Sequence, residues 1–226
     1  MKTISVSAIV PFYNEEKRIF YVLDVLEDIK SIDEIICVDD GSTDKAAEKI
    51  KEKYENIILL QNPYNQGKSA AVAKGLRKAQ GEYILLIDAD ISNLRKNELE
   101  TAINRAKQSD MNMVILRRVH DHRGAKITRG DILISGERIL RKSDLLEVLE
   151  TNPRNFQLET AINVYMMKNH KIVYWFPYSG KNLPKVKKKG LISGIIEEIG
   201  MNYSMYAFAG FHQYMKLIIL FCRHRM

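Results

Sequence analysis

The chain has 226 residues, a formal net charge of +7, 46% apolar residues and only five prolines. This composition excludes disorder and fits one large α/β domain, alone or with an appendage. The positive charge suits anionic company such as a nucleotide, a lipid phosphate, an acidic membrane surface or nucleic acid. Cys37 and Cys222 stand at no metal-ligand or redox spacing and read as reduced, buried thiols of a cytoplasmic chain.

In chain order, Ile4 to Val10 reads as a strand stopped by Pro11, and its apolar run is too brief for a signal peptide. "NEEKRIFYVLDVLEDI" follows with acids in its first turn and Ile19, Val22, Leu23 and Leu26 at helical spacing. Ile35 to Val38 is a short buried strand ending in Asp39 and Asp40. Gly41 turns the chain, and Ser42 to Asp44 open a helix running to about Tyr54. "NIILLQN" is a third strand, the loop "NPYNQGKS" leads into the helix "AAVAKGLRKAQ", and Tyr83 to Ile87 form a strand apolar enough to be buried on both faces. Strands alternating with helices over this half predict a parallel sheet with helical crossovers.

Two strands therefore end in paired acids, Asp39 with Asp40 and Asp88 with Asp90, at the sheet edge where open α/β folds bind ligands. In an extended Asp-Ala-Asp stretch, Asp88 and Asp90 leave the same side. Their mutual repulsion is relieved by a hard cation, Mg2+ or Mn2+, able to hold phosphates as well. The plainer reading is a helix cap or a solvated turn. Asp40 is suited to accept hydrogen bonds from a base or a ribose, Glu15 lies at the matching end of the first strand, and Gly67 and Lys68 offer close backbone approach and a cation for phosphate.

Farther on, Met113 to Leu116 reads as a strand, followed by Arg117, Arg118, Arg123, Lys126 and Arg129, a density of guanidinium groups suited to an anionic acceptor or a pyrophosphate. His120 and His122 are candidates for a third metal ligand. "ISGERILRKSDLLEVLE" reads as an amphipathic helix, packing Ile139, Leu140, Leu145, Leu146 and Leu149 with Arg138, Arg141 and Lys142 facing outwards. The last stretch has Lys181, Lys185, Lys187, Lys188 and Lys189 before a segment rich in Met, Tyr and Phe. Polar residues and glycines interrupt it too often for a membrane span. It suits interfacial helices on an anionic membrane surface; the alternative is that Met201, Tyr206, Phe208, Phe211 and Tyr214 pack on the domain or on a second copy in a homo-oligomer.

The blocks "VSAIVPFYNEE", "IICVDDGSTD" and "NPYNQGKSAAVAKGLRKAQGEYILLIDADI", in this order, closely resemble the family 2 glycosyltransferases with a GT-A fold. Through "NFQLETAINVYMMKNHKIVYWFPY" and the basic "SGKNLPKVKKKG", the chain is similar to members that use polyprenyl phosphates such as dolichyl or undecaprenyl phosphate. The resemblance implies a Rossmann-like, mostly parallel sheet flanked by helices, with a helical C-terminal extension. It implies a catalytic domain over 1–180, divided into a donor-binding half (1–92) and an acceptor half (93–180), then a basic amphipathic extension (181–226). It also implies a UDP- or GDP-linked sugar donor held by the loop Pro11, Tyr13 and Glu15, by Asp40, Gly67 and Lys68, and by Asp88, Ala89 and Asp90, with Mg2+ or Mn2+ bridging the diphosphate to Asp90 and inversion at the anomeric carbon.

For a hydroxyl acceptor, Glu159 is the candidate general base; for a lipid phosphate the nucleophilic oxygen is already anionic and Glu159 orients acceptor-binding groups. The family often has Asp after this Glu, whereas here Thr160 follows. Arg117, Arg123 and Arg129 are the candidate acceptor contacts, and the enzyme is expected on the cytoplasmic face of a membrane. A nucleotidyltransferase is disfavoured because "PFYNEE" lacks a glycine-rich basic loop, and nucleic acid because the strand ends are acidic. A non-catalytic nucleotide- or metal-binding regulatory domain remains the alternative from another class.

Overall fold

The computed structural model describes residues 4–119, 129–153, 157–181 and 207–226. Seven strands form one sheet in the order β3-β2-β1-β4-β6-β5-β7. They are β1 (Val6–Phe12), β2 (Glu34–Asp39), β3 (Ile58–Gln61), β4 (Tyr83–Leu86), β5 (Met113–Arg118), β6 (Arg138–Arg141) and β7 (Val173–Tyr178). The first four strands are mutually parallel and β5 is parallel to β7, while β6 runs antiparallel between β4 and β5. A mostly parallel α/β sheet is therefore what the alternating pattern forms.

Helices cover both faces. Alternate residues of β1 explain why: Val6, Ala8 and Val10 join one apolar layer and Ile9 the other, so neither side tolerates water. One layer packs α1 (Ile19–Glu27), α2 (Ala46–Lys53) and α4 (Lys96–Gln108) on the sheet. The opposite layer takes α3 (Lys68–Lys78), α5 (Gly130–Leu133), α6 (Lys142–Glu150), α7 (Gln157–Lys168) and α8 (Phe211–Leu220). Cys37 and Cys222 are buried free thiols. Among the described residues no helix is long and apolar enough to cross a membrane.

The segment expected to be one amphipathic helix from Ile134 to Glu150 is corrected. Arg138–Arg141 form β6, and the helix begins only at Lys142. Ile139 faces one apolar layer and Leu140 the other, as a central strand requires. Arg138, expected on a solvated face, is fully buried. Its Nε donates to the Ser135 carbonyl at 2.7 Å, Nη1 to Asn163 Oδ1 at 2.6 Å and Nη2 to the Leu133 carbonyl at 3.1 Å. Nη1 also approaches the Glu159 carbonyl at 3.4 Å, so one side chain ties the approach to β6 to the first turns of α7. Burial pushes this guanidinium down to about 10, against the pull of Glu159 and Glu137. In the C-terminal region Tyr214 is buried while Phe211 is 73% exposed, so the expected apolar packing is divided. Met201, Tyr206 and the lysines at 185–189 lie outside the described residues.

Two outcomes are expected from this architecture. Gly41 has φ +77, and a Cβ there would stand 2.5 Å from the Tyr64 carbonyl carbon. Gly41→Ala should therefore lose about 2 kcal/mol, read from the urea midpoint. Arg138→Ala strands buried carbonyl groups and should lose about 3 kcal/mol, whereas Arg138→Met, which fills the volume, should lose less. Equal midpoints for R138A and wild type would contradict the role given to this network.

Candidate active site

The C-terminal ends of β1, β2 and β4 open on one edge, and the loops that follow are cross-linked there. After Pro11 and Tyr13, which is 43% exposed, Asn14 takes φ +53. Its N–H donates to Ser42 Oγ at 2.9 Å and its Oδ1 accepts from the Thr43 N–H at 2.8 Å, fastening the β1 loop to the β2 loop. Glu15 accepts from Arg18 Nε at 2.5 Å while its carbonyl caps the start of α1.

Asp40 is buried, and its carboxylate is committed to the protein. Oδ1 accepts from Asn62 Nδ2 at 2.8 Å and the Gln66 N–H at 3.0 Å, and Oδ2 accepts from the Gly67 N–H at 2.7 Å. The Asp40 oxygens thus shape the loop before α3. Gly67, at φ +90, lets that loop turn inward. Lys68 is consequently the first residue of α3, with the positive end of the helix dipole and its own charge pointing to the same place.

The Lys68 ammonium lies 2.7 Å from Asp88 Oδ1 and 2.8 Å from Glu159 Oε1. Burial alone would push this lysine down, but Asp88 and Glu159 outweigh it and hold the group above its ordinary range. The lysine therefore remains charged at neutral pH and joins the end of β4 to the first turn of α7. Glu159, placed by sequence as a candidate base, is buried there and bound to Lys68.

The chain leaves β4 at Leu86 and turns at Ala89 and Asp90, so the Asp88–Asp90 stretch is not a continuation of the strand. Extending the β4–β6 register sets Gly136 opposite Asp88, and extending the β5–β6 register sets the same glycine opposite Arg117. A Cβ on Gly136 would stand 2.7 Å from both Asp88 Oδ2 and Lys68 Nζ. Gly136 thus leaves a cradle beside Asp88 and Lys68. Among the described residues no third His, Cys, Asp or Glu gathers into a metal-holding group. Two part-exposed carboxylates suit a hard divalent cation that takes its remaining ligands from a diphosphate and water, the usual arrangement for Mg2+. The residues present fit such an ion.

Next to Gly136, Glu137 is fully buried, and its Oε2 accepts from Ser135 Oγ at 3.0 Å. Burial pushes this carboxyl up, with Asp88 adding to the shift and Arg118 and Lys68 opposing it. Of the arginines proposed from sequence as acceptor contacts, Arg117 donates from Nε to the buried Asp131 Oδ2 at 2.5 Å. Arg129 instead caps α8, donating to the Ile218 carbonyl at 2.9 Å and the Cys222 carbonyl at 3.0 Å. Burial pushes Arg129 down, reinforced by the like charge of Arg223. Arg123, with His120 and His122, lies outside the described residues. Sequence reasoning missed Asn14, Asn62 and Gly136. For Gly136 the available signal was a glycine among large residues just before a buried strand.

Comparison with known proteins places this edge in a family. The model of glycosyl transferase family 2 matches residues 7–173. A dolichyl-phosphate beta-glucosyltransferase of Trichomonas vaginalis is 39% identical over 124 residues, 47% of this chain and 38% of that protein. The Dictyostelium discoideum dolichyl-phosphate beta-glucosyltransferase is 35% identical over 133 residues, 52% of this chain and 41% of that protein. The matches thus span about two fifths of the length of these relatives. A crystal structure of glucosyl-3-phosphoglycerate synthase from Mycobacterium tuberculosis, in complex with Mn2+, UDP and glucosyl-3-phosphoglycerate, aligns with a TM-score of 0.66 at 17% identity, over 87% of this chain and 80% of that one. That likeness shows the shared GT-A fold. Since the family match takes in the strands that end at the site, the Asp88–Asp90 turn and Glu159 alike, the chain belongs to glycosyl transferase family 2.

Proposed function

We propose that this chain transfers a sugar from a UDP-linked donor to the phosphate of a polyprenyl phosphate, with inversion at the anomeric carbon. The observation that carries the reading is the position of Lys68 between Asp88 and Glu159. The dolichyl-phosphate specificity of the named relatives and the Mn2+ and UDP bound by the structural neighbour support it. In this reading residues 1–92 form the donor half and 93–180 the acceptor half. The basic extension meets the membrane surface that carries the lipid.

Asp88 and Asp90 would hold Mg2+ or Mn2+ against the donor diphosphate. When bound, the ion neutralises charge developing on the leaving group. Lys68 and the N-terminus of α3 supply further positive potential at the same diphosphate. Arg117 lies two strand spacings from β4, about 10 Å across the edge, on the side from which an anionic acceptor approaches. An oxygen of the acceptor phosphate attacks the anomeric carbon, and the bond from that carbon to the diphosphate breaks with its electron pair leaving on UDP. No proton needs to be removed, because the attacking oxygen is already anionic. Glu159 then acts by holding Lys68 in place.

The test is release of nucleoside diphosphate from UDP- and GDP-sugars with Mn2+ or Mg2+ and then EDTA, each with and without a short polyprenyl phosphate. Release should require both metal and lipid phosphate, and Asp90→Ala should lower kcat/KM by ~100-fold or more. Metal-dependent release indifferent to the lipid would move the acceptor to a hydroxyl and make Glu159 the base. Neither release nor donor binding would leave a non-catalytic binding domain. Lys68→Met should weaken UDP binding about tenfold, measured by calorimetry, through loss of a charge-assisted contact; unchanged affinity would remove Lys68 from the donor site.

A further inference from the structure

Beyond Arg117, at the outer edge of the sheet, the segment His224–Met226 lies along β7. The Trp175 N–H donates to the His224 carbonyl at 3.1 Å and the Met226 N–H to the Trp175 carbonyl at 3.0 Å, an added parallel pairing centred on Trp175 and Arg225. This pairing brings the Arg225 guanidinium to 5.6 Å from the centre of the Trp175 ring, while Arg117 stands 4.7 Å from the same ring. Arg117, Arg118, Val119, Trp175, Pro177 and Arg225 together line a cleft of about 270 Å³.

Three arginines thus meet at one cleft, and among the described residues Asp131 binds Arg117 while Glu137 lies near Arg118. Arg129 and Arg223 add positive charge close behind. An indole and a proline beside guanidinium groups offer an apolar wall next to an anion site, the combination a phosphate on a hydrocarbon chain would use.

We propose that the segment His224–Met226 completes a subsite for a phosphomonoester on an isoprenoid chain, with Arg225 setting its affinity. The inference rests on the reading of polyprenyl phosphate as acceptor and adds to it a residue outside the family match, which ends at residue 173. Arg225 comes from a segment remote in sequence from the β5 arginines, so acceptor recognition depends on the edge pairing as well as on β5.

Trp175 is the only tryptophan in the chain, so its emission reports this cleft directly and without catalysis. Donor-free protein is titrated with geranyl phosphate, geraniol and inorganic phosphate, for wild type, Arg225→Ala and Arg225→Lys. Geranyl phosphate should change the emission saturably and geraniol should not. Inorganic phosphate should bind more weakly than geranyl phosphate, R225A should weaken binding of geranyl phosphate about tenfold, and R225K should fall between R225A and wild type. In transfer assays R225A should raise the KM for the lipid phosphate relative to that for the donor. The proposal is overturned by an equal response to geraniol, by unchanged affinity in R225A, or by the absence of any saturable response. Tight binding of geranyl phosphate by a wild-type enzyme that transfers no sugar to it would uphold the subsite and refute the acceptor reading.

Discussion

The edge of this sheet is held by an electrostatic constraint: carboxylates from both halves of the chain converge on one ammonium group, which keeps them together. Lys68 touches Asp88 from β4 and Glu159 from α7. Other parts of the edge serve to put that ammonium there. Asp40 fixes the loop that delivers Lys68, Gly67 makes the turn, Gly136 yields room for the amine, and Arg138 anchors the helix that carries Glu159. On the proposed reading, a site assembled this way has its ammonium group in place before the donor arrives, so little reorganisation is left to the binding step.

The overall charge of +7 is a poor guide to where that charge acts. Arg138 is buried and consumed in packing, and the half-buried Arg129 spends its guanidinium on closing a helix end. Arg117 is shared between a buried aspartate and an indole. Counting basic residues along the segment after β5 treats these three as equals, whereas burial and partners separate them completely. A buried guanidinium bonded to neutral carbonyls is also costly to desolvate, which makes its place in the core a commitment to one arrangement of the surrounding chain.

The first four strands were legible because each is a compact apolar run followed by helical spacing, although β1 continues through Pro11, its expected stop, to Phe12. The Asp88–Asp90 pair was legible for the same reason, since an abrupt change from apolar to acidic marks a strand end at a ligand edge. β6 was not. Its two apolar residues, Ile139 and Leu140, face opposite layers, its flanks are both arginine, and a helix starts at the next residue, so the helical period of α6 swallowed it. The role of Asp40 was hidden because its partners, Asn62, Gln66 and Gly67, lie across a helix and a strand in sequence. Arg225 was hidden because the bonds that place it run backbone to backbone and carry no side-chain signature.

The reversal of β6 has a further meaning. In a wholly parallel sheet every strand offers its C-terminal end to the ligand edge, but this one offers its beginning, so Gly136, just before β6, lies against Asp88. The connection from β5 joins neighbouring strands and carries α5, whose Ile132 and Leu133 pack into one of the two apolar layers. The antiparallel strand thus lets the second half of the chain contribute its own wall to an edge that the four parallel strands build.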